Sequence, residues 1–143
     1  MALSKITEVL GGKKIIGRRI RTSMDLLDLT NQGVTKDALL NLSANLSLSL
    51  KQMVQLLPIT ERTLQRYKKK DHFNPSVSEH IIQLAEVAAR GVEVFGDRER
   101  LKKWLNHPSV ALSGKTPLSL LKNRFGVQLI LDELGRIEHG VYA

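Results

Sequence analysis

Cysteine is absent from the 143 residues, and aromatic residues are scarce: one Trp, two Tyr and three Phe. Without thiols there is no disulfide framework, no thiolate zinc site and no cysteine nucleophile. Apolar runs are short as well. None at the start resembles a signal peptide, and none approaches the roughly 20 residues of a membrane span. A cytoplasmic protein without a membrane contact is therefore expected, and the Asn-x-Ser matches at Asn41 and Asn45 carry no glycosylation meaning. Catalytic signatures are missing too. His72, His80, His107 and His139 are scattered, with no HExxH pair, no glycine-rich phosphate loop and no GxSxG elbow. Neither an enzyme, nor a metal site, nor a cofactor is expected.

What is present is positive charge and helix grammar. Lys and Arg number 22 against 14 Asp and Glu, a net charge of +8, which favours an anionic partner, nucleic acid being the commonest. A chain of this size buries roughly two-thirds of its unfolded surface, enough for a core without staples. β-branched alternation is sparse and helix signals recur, so the fold reads as all-α.

Residues 1–34 are the least legible. They hold a basic run (Lys13, Lys14, Arg18, Arg19, Arg21) interleaved with Ile15, Ile16 and Ile20, a mixture suited equally to oligomerisation and to DNA backbone. From Thr35 onward the elements sharpen. Thr35 predicts the cap of a helix to about Leu46, with Leu39, Leu42 and Leu46 on one side. Ser49 and Gln52 form a capping-box pattern that opens a short apolar helix, interrupted by Pro58. Residues 59–70, ITERTLQRYKKK, predict a second short helix. Asp71–Pro75 reads as a loop, and Ser76 with Glu79 as a further capping box. It precedes a long helix whose Val77, Ile81, Leu84, Ala88, Val92 and Phe95 keep a 3.6-residue period. Gly96 ends that helix and Asp97 caps the next. Thr116-Pro117 reads as a helix start, and the last helix begins near Gly126, with Val127, Ile130, Leu131, Leu134 and Ile137 along one face.

Two short helices about a tight turn, the second one basic, suggest a helix-turn-helix. Val54, Pro58 and Leu64 have the spacing of its packing residue, turn residue and recognition-helix anchor. With Leu64 and Tyr67 turned inward, the outward side presents Arg62, Thr63, Gln65, Arg66 and Lys69 beside Glu61. Arg forks onto guanine and Gln onto adenine in the major groove, while Lys68, Lys69 and Lys70 suit phosphates. Pro58 departs from the pattern. The turn usually favours Gly because positive φ is needed there, and Pro cannot supply it.

Beyond Phe95 the motifs become dense: Val94-Phe95-Gly96-Asp97, Trp104-Leu105, Gly114-Lys115-Thr116-Pro117, Leu120-Leu121, and a closing Gly135-Arg136-Ile137-Glu138-His139-Gly140-Val141. Together they strongly resemble the toxin-binding domain of the Xre, MbcA and ParS antitoxins, and the resemblance continues more weakly upstream through the helix pair. It implies a Cro-like helix-turn-helix region followed by a small helical toxin-binding domain. The corresponding division is an N-terminal segment at 1–34, a DNA-binding region at 35–75, and a linking helix with the toxin-binding domain at 76–143. It further implies a type II antitoxin that covers the active site of a RES-type, NAD-consuming toxin with its C-terminal end. Such proteins repress their own operon by binding operator DNA as a homodimer or higher assembly.

In these roles Trp104 reads as core, at helical spacing from Leu101 and Leu105. The closing helix carries Gln128, Asp132, Arg136 and His139 on its outer side, and Gly140 is placed to end it. Val141, Tyr142 and Ala143 have no periodic role left. On spacing alone, a projecting contact segment and an end with Tyr142 folded back onto the domain stand equal. With the resemblance, Arg136, His139, Gly140, Val141, Tyr142 and Ala143 are the expected toxin contacts. Two rival readings remain open: a plain helix-turn-helix repressor whose C-terminal region only dimerises, and a protein-binding module whose helix pair has lost DNA contact through Pro58.

Overall fold

The structure, a computed structural model, describes residues 3–140. It is organised around one long helix, α7 (Pro75–Phe95), whose inner side is lined by fully buried Ile81, Leu84, Ala85, Val87 and Ala88. Packed on it are α1 (Leu3–Val9), α3 (Ser23–Gln32), α4 (Lys36–Leu46), α8 (Arg98–Leu105) and α9 (Arg124–Glu138). The short α2 (Lys13–Ile16), α5 (Leu50–Leu56) and α6 (Glu61–Arg66) lie off this frame, with 3-10 turns at Val110–Leu112 and Leu118–Leu120. Among the described residues the only β pairing is an isolated bridge between Thr35 and His72. The fold is all-α, a helix-turn-helix region followed by a C-terminal helical domain.

The start of α7 differs from expectation. Asn74, not Ser76, is the N-cap: its side chain accepts from Val77 N at 2.9 Å, and Pro75 takes the first helical position. Pro there has no N–H to lose and a preset φ, so the helix starts earlier than a Ser76–Glu79 box would place it. The Ser49–Gln52 box at α5 is realised in both directions, at 2.9 and 3.1 Å. Thr35 and Asp97 cap α4 and α8 as their spacing predicts.

The least legible stretch becomes helical and joins the core. Ile6 and Leu10 are fully buried, and Ile20 and Leu29 are close to it. Thr22 and Asp25 form a reciprocal capping box at the start of α3, with Asp in the position usually taken by Glu or Gln. Two close approaches tie the C-terminal half together. A Cβ added at Gly91 would lie 2.4 Å from Leu101 Cδ1, and one at Gly126 would lie 1.6 Å from the Leu120 carbonyl oxygen. At Gly126 the neighbour is backbone, so only glycine lets the start of α9 seat on the preceding turn, whereas a side chain at Gly91 would require Leu101 to shift.

Candidate nucleic-acid and partner-binding surfaces

The helix pair is assembled around Leu64, which is 2% exposed, with Met53, Leu56 and Leu57 buried on the α5 side and Val54 half-buried. The turn between α5 and α6 leaves α5 through Leu57 in extended conformation (φ −112°) and enters α6 through Thr60 (φ −82°). Among the described residues, positive φ outside glycine occurs only at Ser47 and Ser113. This turn therefore solves its geometry with Pro58 and no left-handed residue. Thr60 caps α6: its hydroxyl accepts from Thr63 N at 3.1 Å and donates to Thr63 Oγ1 at 2.9 Å.

The second helix is shorter than the 59–70 span predicts. It stops at Arg66, because Tyr67 turns to extended backbone and stacks on Phe73, ring centroids 4.6 Å apart. The Lys36 ammonium donates to the carbonyls of Leu64 (3.3 Å) and Tyr67 (2.9 Å), meeting the helix end with positive charge. Lys68, Lys69 and Lys70 consequently sit in the turn that follows and not on the helix. Lys68 N donates to Asp71 Oδ2 at 2.7 Å, and Asp37 N donates to the Lys69 carbonyl at 2.9 Å.

Arg62, Thr63, Gln65, Arg66 and Lys68–Lys70 are all exposed. Among the described residues none of these Arg and Lys side chains makes an ion pair. The chain thus holds a forked donor and an amide on α6 and a lysine cluster in the solvent-facing turn that follows, a set that suits base edges flanked by phosphate.

The C-terminal surface is built differently. Trp104 packs on Phe95 at 5.5 Å between centroids but stays half-buried at the edge of the core. It borders a concavity of about 400 Å³ with Val110, Ala111, Glu133 and Ile137. Thr116-Pro117 starts a 3-10 turn, not a helix. Thr116 Oγ1 accepts from Ser119 N at 3.3 Å, and the chain turns again at Leu121. His80, buried on α7, donates from Nε2 to the Leu121 carbonyl at 2.8 Å. This bond ties the loop to α7. Asn123 then caps α9, accepting from Gly126 N at 3.0 Å.

Toward its end α9 is fastened by ions. Glu133 is almost fully buried and takes two bonds from Arg136, at 3.2 Å (Nε) and 2.8 Å (Nη2). Glu138 receives a two-pronged contact from Arg90 of α7, at 2.8 and 2.6 Å. Those bonds hold its carboxyl below the usual Glu range, while the Arg90 guanidinium is shifted up by the same hydrogen bonding. His139 is exposed, and Gly140 ends the helix at φ +70°. The predicted contacts at Val141, Tyr142 and Ala143 lie outside the described residues.

Sequence reasoning placed Arg136 on the outer side without its partner. Glu133 was readable as an i, i+3 neighbour, whereas Arg90 lies 48 positions from Glu138 and gives no local signal. Missed too were the exposed apolar side chains Phe125 and Leu129, one helical turn apart on α9, and Val110 nearby in sequence to Trp104. The two sets of candidate residues sit on separate elements, α6 with its following turn and the end of α9.

Comparison with known proteins finds two family matches along the chain. Residues 25–86 match the family model of the antitoxin Xre-like helix-turn-helix domain, and residues 90–140 match that of the antitoxin Xre/MbcA/ParS C-terminal toxin-binding domain. Among similar curated proteins, Antitoxin Xre of Yersinia enterocolitica is 29% identical over 120 residues, covering 82% of this chain and 81% of that protein. Antitoxin Xre of Photorhabdus laumondii is 31% identical over 78 residues, 54% of this chain and 53% of its own length. Antitoxin Xre of Pseudomonas putida is 29% identical over 87 residues, 60% and 54% respectively.

Proposed function

We infer what this chain does from the premise that it belongs to the Xre/MbcA/ParS antitoxins, with a helix-turn-helix domain and a C-terminal toxin-binding domain. It neutralises a RES-type, NAD-consuming toxin by laying Arg136, His139, Gly140, Val141, Tyr142 and Ala143 across the toxin's active site. It represses its own operon through Arg62, Thr63, Gln65, Arg66 and Lys68–Lys70 on operator DNA. Its work in the cytoplasm is binding, not catalysis.

The observation that carries the toxin reading is the fastening of α9. The Arg90–Glu138 contact lies two residues before Gly140 and ties the end of α9 to α7. Rigid presentation lowers the ordering cost of docking a short segment. Co-expression with a toxin encoded in the neighbouring frame tests this. Full-length protein restores growth, and a variant ending at His139 folds but fails to. Full rescue by the shortened protein would remove the mechanism.

Division of labour follows the boundaries 1–34, 35–75 and 76–143, with residues 1–34 serving self-assembly. Met24 and Leu27, both exposed on α3, support that role. Because Ile6 and Leu10 belong to the core, deleting the segment would unfold the protein. Met24→Ser with Leu27→Ser is the cleaner test, and light scattering should show the homodimer or higher assembly falling to a smaller mass.

A further inference from the structure

The C-terminal domain carries a second cluster of cations where the DNA-binding function has no assigned residue. A cleft of about 340 Å³ is lined by Pro58, in the turn that precedes α6, together with Lys122 and Arg124. Ser76 and Gln83 of α7 also line it. Both cations are exposed, and among the described residues neither makes an ion pair. The one carboxylate of the cleft, Glu79, accepts from Gln83 Nε2 at 3.4 Å.

Arg124 lies over the exposed Phe125 ring, 5.8 Å from its centroid, but among the described residues no carboxylate balances its charge. It is the first residue of α9, and the first turn of that helix holds no acidic residue. A cation at a helix N-terminus opposes the macrodipole, so it costs stability there. Lys122 is held in place by its neighbour, since the Leu121 carbonyl accepts from buried His80 of α7. The loop that presents these charges is thus pinned to the N-terminal end of α7, the end that adjoins the helix pair.

We propose that Lys122 and Arg124 make a second contact to the DNA backbone, from the toxin-binding domain, beside the contact made by α6. The inference rests on the DNA-binding reading above. A helix-turn-helix that sets its second helix in the major groove brings the flanking turn toward the sugar–phosphate strand. Pro58 occupies that turn, and side chains sharing a cleft with it lie at the level of the same strand. Since Arg124 opens the helix whose far end is assigned to the toxin, DNA and toxin then touch opposite ends of α9. Any coupling between the two ligands must be reciprocal in affinity.

Fluorescence anisotropy with the operon's own promoter and a scrambled duplex, between 50 and 200 mM salt, tests the contact. Lys122→Ala/Arg124→Ala should weaken binding to both duplexes by the same factor, roughly tenfold, and flatten the log–log salt slope by about 2. Lys122→Arg/Arg124→Lys should restore both quantities. Unchanged affinity and slope in the alanine pair, while Arg62→Ala/Arg66→Ala loses promoter binding, would overturn this contact and leave the DNA reading standing. Loss confined to the promoter duplex would also overturn it, because a backbone contact carries no base preference. If wild-type protein binds neither duplex, the DNA reading falls and this contact falls with it.

Discussion

Helices α6 and α9 both carry candidate contact residues, yet they are held in opposite ways. α6 has six residues, one buried anchor in Leu64, and an end steadied by Lys36 reaching to two carbonyls. A helix that short has no stability of its own in water, so its position is borrowed from the elements beneath it and its outer face is free to be chemistry. α9 has fifteen residues and buries Val127, Ile130 and Leu134. It touches the preceding turn at Gly126 with no room to spare, and is ion-paired near its last turn. Here the scaffold extends almost to the proposed contact segment. A reader of base edges needs only a correctly placed face, whereas a segment destined for a concave partner gains from a base that does not move.

The contrast breaks most sharply at Gly126. An alanine there would drive its methyl into the Leu120 carbonyl, which belongs to backbone and cannot rotate away. We expect Gly126→Ala to cost more than about 3 kcal/mol, in the range kept for strained or overpacked sites, when measured by urea unfolding. Toxin neutralisation should fall with it. A loss under 1 kcal/mol would mean that the start of α9 is as tolerant as α6, and the distinction between the helices would collapse.

On the other side stands Leu64→Ala. Removing a buried leucine costs roughly 2–5 kcal/mol, and because α6 hangs on this one anchor the damage should be local. DNA binding should be lost at temperatures where α7 and α9 remain protected from hydrogen exchange. Simultaneous exposure of all three helices would show that the helix pair and the C-terminal domain unfold as one unit.

These two helices also explain what could be read without a structure. The outward set on α6 was legible because one buried leucine and a 3.6-residue period suffice to divide its faces. Its length was not, because the stop at Arg66 comes from Tyr67 stacking on Phe73, a contact across a turn. Caps built from neighbours, Ser49 with Gln52 and Asp97 with Arg100, were legible for the same local reason. The α7 start was misplaced by two good caps competing within three residues, Asn74 and Ser76, which Pro75 resolves. What fastens α9 was invisible: Arg90 reaches Glu138 and His80 reaches Leu121 across more than forty positions. In residues 1–34 the mixture of charge and isoleucine hid short helices, because α1 and α2 are too brief to show a period.

A smaller effect of opposite sign is expected at Gly135, in the middle of α9. Among the described residues, outside its chain neighbours and its own helix backbone, no atom lies within 4 Å of a Cβ built there, so Gly135→Ala should stabilise by about 0.5–1 kcal/mol through helix propensity alone. Thermal unfolding measures it. Because a methyl at this position would meet no side chain beyond its chain neighbours among the described residues, the same variant probes the partner. If neutralisation falls while stability rises, the toxin backbone approaches α9 at this glycine. Unchanged neutralisation would confine the contact to residues beyond it.

The smallest change in stability belongs to the Arg90–Glu138 pair, which lies at the surface with both side chains partly exposed, where ion pairs contribute little. Its signature is pH. Glu138 has its carboxyl lowered chiefly by hydrogen bonding from Arg90, so its folded value lies below its unfolded one. A depressed carboxylate contributes stability that is fully present above the unfolded value and fades as pH falls through the folded one. Arg90→Ala should therefore lower the unfolding midpoint slightly at neutral pH, and the two proteins should converge below about pH 4, under the ordinary Glu value. In an NMR titration the Glu138 carboxyl of the variant should return to the usual Glu range. A gap that persists unchanged in acid would assign the pair's effect to packing by the arginine stem. If instead the stability change is small but neutralisation drops severalfold, the pair serves to aim the segment beyond Gly140, which is the role that distinguishes α9 from α6.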